Sequence, residues 1–256
     1  DRVVDVPRGI QWVSGPRWTR HHDHISSISA MVSAGGRLFS VNDQSSTMSI
    51  HLPSRWALVA KDAFNGTTLW SKSIPDWVNP LWPLKSGPAS IPRRLVASEG
   101  NVYATLGLSA PVSCLDAVTG EQRFVFAGTE QTEEMILHEG TLICLISPKS
   151  SGLDTYKPDN ERSPDEQKVV DRRWAWRSDA VSLRAFDVHD RSKLWQVDSP
   201  VTPLSLAATS DRVFFHDGKS IHALDRKTGN ELWKSPEISS RPSLSPYSVV
   251  NLIPTD

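Results

Sequence analysis

Short runs of alternating apolar and polar residues, separated by turn-forming residues, fill most of this chain. Four stretches share one pattern: WALVAKDAFNGTTLW (56–70), PVSCLDAVTGEQRF (111–124), VSLRAFDVHDRSKLW (181–195) and SIHALDRKTGNELW (220–233). In each, a strand-like alternation ends at an Asp and an aromatic residue follows eight positions later, giving the pairs Asp62/Trp70, Asp116/Phe124, Asp187/Trp195 and Asp225/Trp233. Three copies carry a turn glycine after the Asp: Gly66, Gly120 and Gly229. Glycine supplies the positive φ of a tight hairpin, and Asp bonds the turn's own backbone. The third copy has Asp190-Arg191 at that place, so its turn must close differently.

Upstream of each copy lies a second pair of runs: ISAMVSAGGRLFSV, RRLVASEGNVYATL, MILHEGTLICLI and LSLAATSDRVFF. Each reads as a hairpin around a short Gly, Asn, Asp or Ser turn. Every unit therefore holds four strands, A to D, and the closest spacing, Asp187 to Asp225, is 38 residues. Four-stranded units of about 40 residues mark the blades of a β-propeller. No amphipathic helix separates the strands, which argues against a βαβ fold. The expected fold is all-β, with blades at about 25–74, 90–127, 133–198 and 203–236. The strand D aromatics Trp70, Phe124, Trp195 and Trp233 are expected to pack between blades, where burying one ring is worth roughly 2–3 kcal/mol.

The pattern A-L-D-x-x-T-G-x-x-x-W, clearest from Ala223-Leu224-Asp225 through Thr228-Gly229 to Trp233, resembles the PQQ-type, quinoprotein-like propeller repeat. That family includes quinoprotein alcohol dehydrogenases and BamB-like scaffolds of outer-membrane assembly, so the repeat implies the fold and not one activity. The resemblance also implies an extracytoplasmic setting in a bacterial envelope, and a ring of about seven or eight blades. Residues 1–13 read as the close of an earlier unit and 245–256 as the opening strand of a later one. The expectation is a slice of a larger ring, with a closed four-bladed ring as the alternative.

In a propeller the D-to-A links and the B-to-C loops share one face. The long segments here, 13–27, 43–55, 71–92 and 148–178, all belong to that face. Extended loops on one face of a rigid repeat scaffold are where function concentrates. The insertion 148–178 is rich in charge, Pro and Ser; it reads as a mobile excursion or lid whose Trp174 and Trp176 return to the body. Those rings either stack on a sugar or a partner, or pin the loop down. The proline-rich link 71–92 brings Trp82 near the axis and offers Lys85 as an anion contact.

The link before the first inner strand holds RHHDH, residues 20–24, with His21, His22, Asp23 and His24. The matching link before the third holds Glu130, Glu133 and Glu134. Normal blade packing would bring both to the channel mouth. Three readings stay open: His22 and His24 chelate a divalent metal with Asp23 or a glutamate, the cluster binds a polar ligand such as a sugar or peptide carboxylate, or it only bonds loop backbone. No G-x-S-x-G, H-E-x-x-H, P-loop or G-x-G-x-x-G motif occurs. Quinoprotein dehydrogenases of the resembled family pair a disulfide of adjacent cysteines with the quinone. Cys114 and Cys144 are not adjacent and look like buried strand thiols, which disfavours PQQ and dehydrogenase activity.

A net charge of −1, from 28 basic and 29 acidic residues, gives no field for nucleic acid, and no apolar run is long enough for a membrane span. The chain starts at Asp1 with no visible signal peptide. These readings lead to a non-catalytic scaffold that binds a protein, or a polar small molecule or sugar, through its elaborated face, with no cofactor. The alternative is a hydrolase or oxidoreductase with a metal or polar-ligand site at the channel mouth, acting on a sugar-like or alcohol substrate.

Overall fold

Side chains alternate across a strand, so a sheet with apolar residues on both faces must be covered on both, and these sheets cover one another. The computed structural model describes residues 9–14, 27–46, 48–49, 51–82, 87–98, 100–157, 166–238, 243–246, 248 and 250–254. The first sheet is β1 (Ile28–Ala34), β2 (Arg37–Asp43), β3 (Trp56–Asp62) and β4 (Thr68–Ser73). The second is β5 (Leu95–Ser98), β6 (Asn101–Thr105), β7 (Val112–Asp116) and β8 (Gln122–Val125).

In the third sheet, β9 (Thr132–His138) and β10 (Thr141–Ile146) precede an insertion that holds helix α1 (Glu166–Trp174) and β11 (Trp176–Arg177). The sheet is completed by β12 (Val181–Asp187) and β13 (Lys193–Ser199). The fourth is β14 (Ala207–Ala208), β15 (Arg212–His216), β16 (Ile221–Asp225) and β17 (Glu231–Lys234), and β18 (Ser243–Leu244) pairs with β11 outside the four sheets.

Each sheet is an antiparallel meander in chain order. First strands of successive sheets meet in turn, β1 with β5, β5 with β9 and β9 with β14, which is the arrangement of propeller blades around an axis. The register of β10 shows how blades stack. Leu142, Cys144 and Ile146 pack with Tyr103, Val112 and Phe126 of the second blade, while Ile143 and Leu145 pack with Val213, Phe215 and Leu224 of the fourth. Both cysteines are free and sit between the second and third blades, where burial pushes the Cys144 thiol up to about 12.

The repeat residues form the joint between blades. Asp116 Oδ1 accepts from the N–H groups of Val118 and Thr119 at 2.7 and 2.9 Å, and Asp225 Oδ1 accepts from Lys227 and Thr228 at 3.0 and 2.8 Å. Asp62 and Asp187 hold their turns in the same way. The turn glycine then lies flat under the tryptophan of the preceding unit. A Cβ on Gly120 would stand 2.6 Å from the Trp70 ring, and one on Gly229 would stand 2.8 Å from Trp195. Both glycines also have φ above 70°, so a side chain is excluded by conformation as well as by space.

The indole N–H closes the joint. Trp70 Nε1 donates to Ala117 O at 3.2 Å and Trp195 Nε1 to Arg226 O at 2.7 Å. Trp12 does the same ahead of the first blade, donating to Ala63 O at 3.0 Å over Gly66. Arg226 adds a clip, donating from Nη1 to Thr141 Oγ1 at 2.8 Å and pairing with Glu139 at 3.1 Å. The third copy closes differently, as its sequence requires. Arg191 takes the left-handed position at φ 68°, and its guanidinium lies 4.6 Å over the Phe124 ring, which has no N–H to donate.

Three expectations change. Trp233 does not pack under a following blade among the described residues; it is 42% exposed beside Phe214. The insertion is a folded element with a nine-residue helix, not only an excursion, because Leu153, Tyr156 and Val170 give it a buried face. The described residues of 1–13 and 245–256 form no strand, although Trp12 does the work expected of a strand D aromatic.

Candidate functional site

The insertion, the link between the first two blades and the segment around β18 bond into one cap over the decorated face. Trp82 is fully buried against the edges of Tyr156 and Trp174, with centroids 5.3 and 5.0 Å away. Tyr156 and Trp174 meet at 5.7 Å, and Trp174 Nε1 donates to Ser151 O at 2.7 Å. Asn79 N donates to Leu153 O, Ala89 N to Pro246 O, and Ser245 Oγ to Asp171 Oδ1 at 2.6 Å. The cap thus ties blade-derived loops that are far apart in sequence. Arg172, Arg173 and Arg177 are exposed around the end of α1, and Asp154 and Asp179 are exposed on the same insertion.

Beneath the cap is a cavity of about 240 Å³, lined among others by Arg94, Glu133, Ser151, Arg173, Trp174 and Trp176. Arg94 ends the short 3₁₀ turn Ile91–Arg94 that leads into β5, and it is 2% exposed. Its Nη1 donates to Leu108 O at 2.9 Å, while Asp76 Oδ2 accepts from Leu108 N at 2.9 Å, so both sides of one peptide position are gripped. Burial pulls the Arg94 guanidinium down to about 10, against the attraction of Glu133 and Asp76, which leaves it cationic at neutral pH. Burial also pushes the Glu133 carboxyl up, with Arg94 and the Ser147 hydroxyl opposing. Arg173 lies 4.4 Å over the Trp174 ring.

Polar atoms here lack protein partners. Arg94 Nε, Ser151 Oγ and Trp176 Nε1 are all buried without a hydrogen bond to the chain. Buried polar atoms are nearly always satisfied, so three unsatisfied ones on residues lining one cavity stand out, each of them closed off from solvent.

Of the residues singled out in the sequence, Glu133, Trp174 and Trp176 meet at this cavity. Glu130 is exposed and stands apart. Glu134, next along β9, points the other way: it is buried, its Oε2 accepts from Leu204 N at 2.9 Å, and burial raises its carboxyl to about 7. Trp82 is enclosed by the aromatic cluster and has no open face for a ligand. His21, His22, Asp23, His24 and Lys85 lie outside the described residues. Among the described residues no group of three His, Cys, Asp or Glu is placed to hold a metal ion. No described helix is long and apolar enough to cross a membrane. Sequence reasoning missed Arg94, Ser151 and Arg173; an Arg pair opening the apolar strand RRLVAS was the available signal.

A family described as outer membrane protein assembly factor BamB matches residues 54–252. Among solved structures, BamB from Moraxella catarrhalis is similar at 14% identity, over 88% of this chain and 51% of that one, with a TM-score of 0.45. The quinohemoprotein alcohol dehydrogenase ADHIIG from Pseudomonas putida HK5 is similar at 11% identity, over 80% and 33%, with a TM-score of 0.48. Quinohemoprotein alcohol dehydrogenase from Comamonas testosteroni is similar at 12% identity, over 84% and 35%, with a TM-score of 0.48. The chain spans about half, or less, of the length of these structures. No curated protein sequence matches it.

Proposed function

Because this chain belongs to the family described as outer membrane protein assembly factor BamB, we propose that it is a non-catalytic scaffold that binds protein through its capped face in the bacterial envelope. The observation that carries this reading is the asymmetry of the two faces. The turn face is built from short, self-bonded Asp turns, whereas the opposite face carries a folded cap with exposed arginines and a cavity beneath it. A rigid repeat scaffold with one elaborated face is suited to recognition. The exposed arginines at the end of α1 offer charge-assisted bonds to a partner.

Charge reversal tests the reading face by face. The double variant Arg172→Glu/Arg177→Glu on the cap should lower co-purification of a specific envelope partner at least about tenfold, a loss of the size expected for contacts in a charged interface. Lys193→Glu/Lys227→Glu on the turn face should leave it unchanged. The opposite ranking would place the binding surface on the turn face and end this proposal. The reading includes no cofactor. A stoichiometric divalent ion found by elemental analysis, and lost in His22→Ala/His24→Ala, would replace it with a metal-dependent one.

A further inference from the structure

We infer that Asn65, in the turn of the first blade, is a site of spontaneous covalent modification, losing ammonia to become aspartate and isoaspartate at a rate set by the Trp12 joint. The inference is independent of the scaffold reading. Among the four copies, only the first places an amide side chain before the turn glycine. The matching residues of the second and fourth are Thr119 and Thr228, and the third has Asp190-Arg191. Asn is thermolabile because the next backbone nitrogen can attack its side-chain carbonyl. Glycine in that next position puts no side chain in the way.

The local geometry serves the reaction. Asn65 is exposed, and Thr67 N donates to its Oδ1 at 2.8 Å. That bond closes the side chain over the Gly66 amide and draws electrons away from Cγ. The same N–H is placed to stabilise the oxyanion formed on attack. In the first step the Gly66 nitrogen gives its proton to a solvent base and bonds to Asn65 Cγ. The Cγ–Nδ2 bond then breaks, and the nitrogen takes a proton from solvent and leaves as ammonia, closing a cyclic imide. Water opens the imide at either carbonyl. Attack at Cγ yields aspartate. Attack at the backbone carbonyl yields isoaspartate, in which the chain runs through Cβ and Cγ. The sum is amide plus water to carboxylate plus ammonium, with nothing oxidised or reduced.

The joint opposes the first step. Gly66 N donates to Asp62 O at 2.9 Å, and the Trp12 ring lies so close that a Cβ on Gly66 would stand 2.7 Å from it. Trp12 Nε1 donates to Ala63 O of the same turn at 3.0 Å. The Gly66 nitrogen must leave Asp62 O before it can attack, so the reaction proceeds through local opening of this joint. Its main consequence is to keep the joint open. Isoaspartate adds a backbone carbon ahead of the Gly66 nitrogen, and a turn lengthened in this way cannot return Gly66 to its place under the indole. Ageing at Asn65 therefore unlatches Trp12 from the first blade.

The test is a timed incubation of the full chain in mildly alkaline buffer, beside the peptide acetyl-Phe-Asn-Gly-Thr-amide. Peptide mapping should find a gain of about 1 Da at Asn65, with an isoaspartate fraction that isoaspartyl methyltransferase labels. Conversion should run about tenfold more slowly than in the peptide, because the joint must open first. Trp12→Phe, which keeps a ring and loses the bond to Ala63 O, should speed it about fivefold. Asn65→Thr, with the residue of the second and fourth copies, should show no gain and keep the melting temperature. In the isolated isoaspartate fraction the Trp12 indole N–H should exchange with solvent about tenfold faster than in fresh protein.

An Asn65 that stays intact through about a hundred half-lives of the peptide overturns the site. Equal rates in the parent and in Trp12→Phe overturn its control by the joint. Unchanged indole exchange in the isoaspartate fraction overturns the unlatching. The scaffold reading stands or falls separately, in the co-purification experiment.

Discussion

At the scale of single residues, the two glutamates at the head of β9 show how a pleat assigns roles. Glu133 and Glu134 are neighbours in sequence, yet one lines the cavity and the other is buried on the opposite side against Leu204 N. Glu134 has its carboxyl raised from 4.5 to about 7, mainly by burial. Between those values the folded chain keeps a proton that the unfolded chain releases. Stability therefore falls as pH rises through that window, and the loss is complete above it. Glu134→Gln keeps an acceptor for Leu204 N and cannot ionise. In urea unfolding it should match the parent near about pH 4 and gain roughly 3 kcal/mol at about pH 8. Equal stability at both pH values would contradict the assigned direction.

At the scale of elements, strand D of the first blade and strand D of the third each depend on an indole of their own blade and a carbonyl of the next. Trp195→Phe removes the bond to Arg226 O and leaves a buried acceptor unpaired, which should cost about 2 kcal/mol in thermal or urea unfolding. Trp233→Phe, at an exposed ring, should cost less than about 0.5 kcal/mol. Similar losses at both positions would mean that the joint contributes nothing beyond ring size. These elements were legible in the sequence because turn chemistry is local. An Asp, a Gly and an aromatic at fixed spacing announce a hairpin, and the missing glycine at Asp190-Arg191 announced a different closure. Helix α1 was less legible, since its charged and Pro-flanked surroundings hide the few apolar residues that dock it.

At the scale of the whole molecule, the fold follows from repetition, whereas the cavity joins residues with no spacing relation. Arg94 comes from the second blade, Glu133 from the third, and Ser151, Arg173 and Trp176 from the insertion. Each alone is an ordinary residue type, so only the fold shows that they meet. The joint between the second and third blades is the one clasped by Phe124 and Arg191 in place of an indole and a glycine. Across that seam runs the insertion, anchored in the third blade and packed by Trp174 and Tyr156 into the core of the first two. The seam thus has a lighter clasp on one side and a strap on the other, and Cys114 and Cys144 are buried inside it. Cutting the strap with Trp174→Ala should raise the rate of thiol labelling by about tenfold, the effect of roughly 1.4 kcal/mol on local opening. Trp195→Phe, which loosens the neighbouring seam, should leave that rate nearly unchanged.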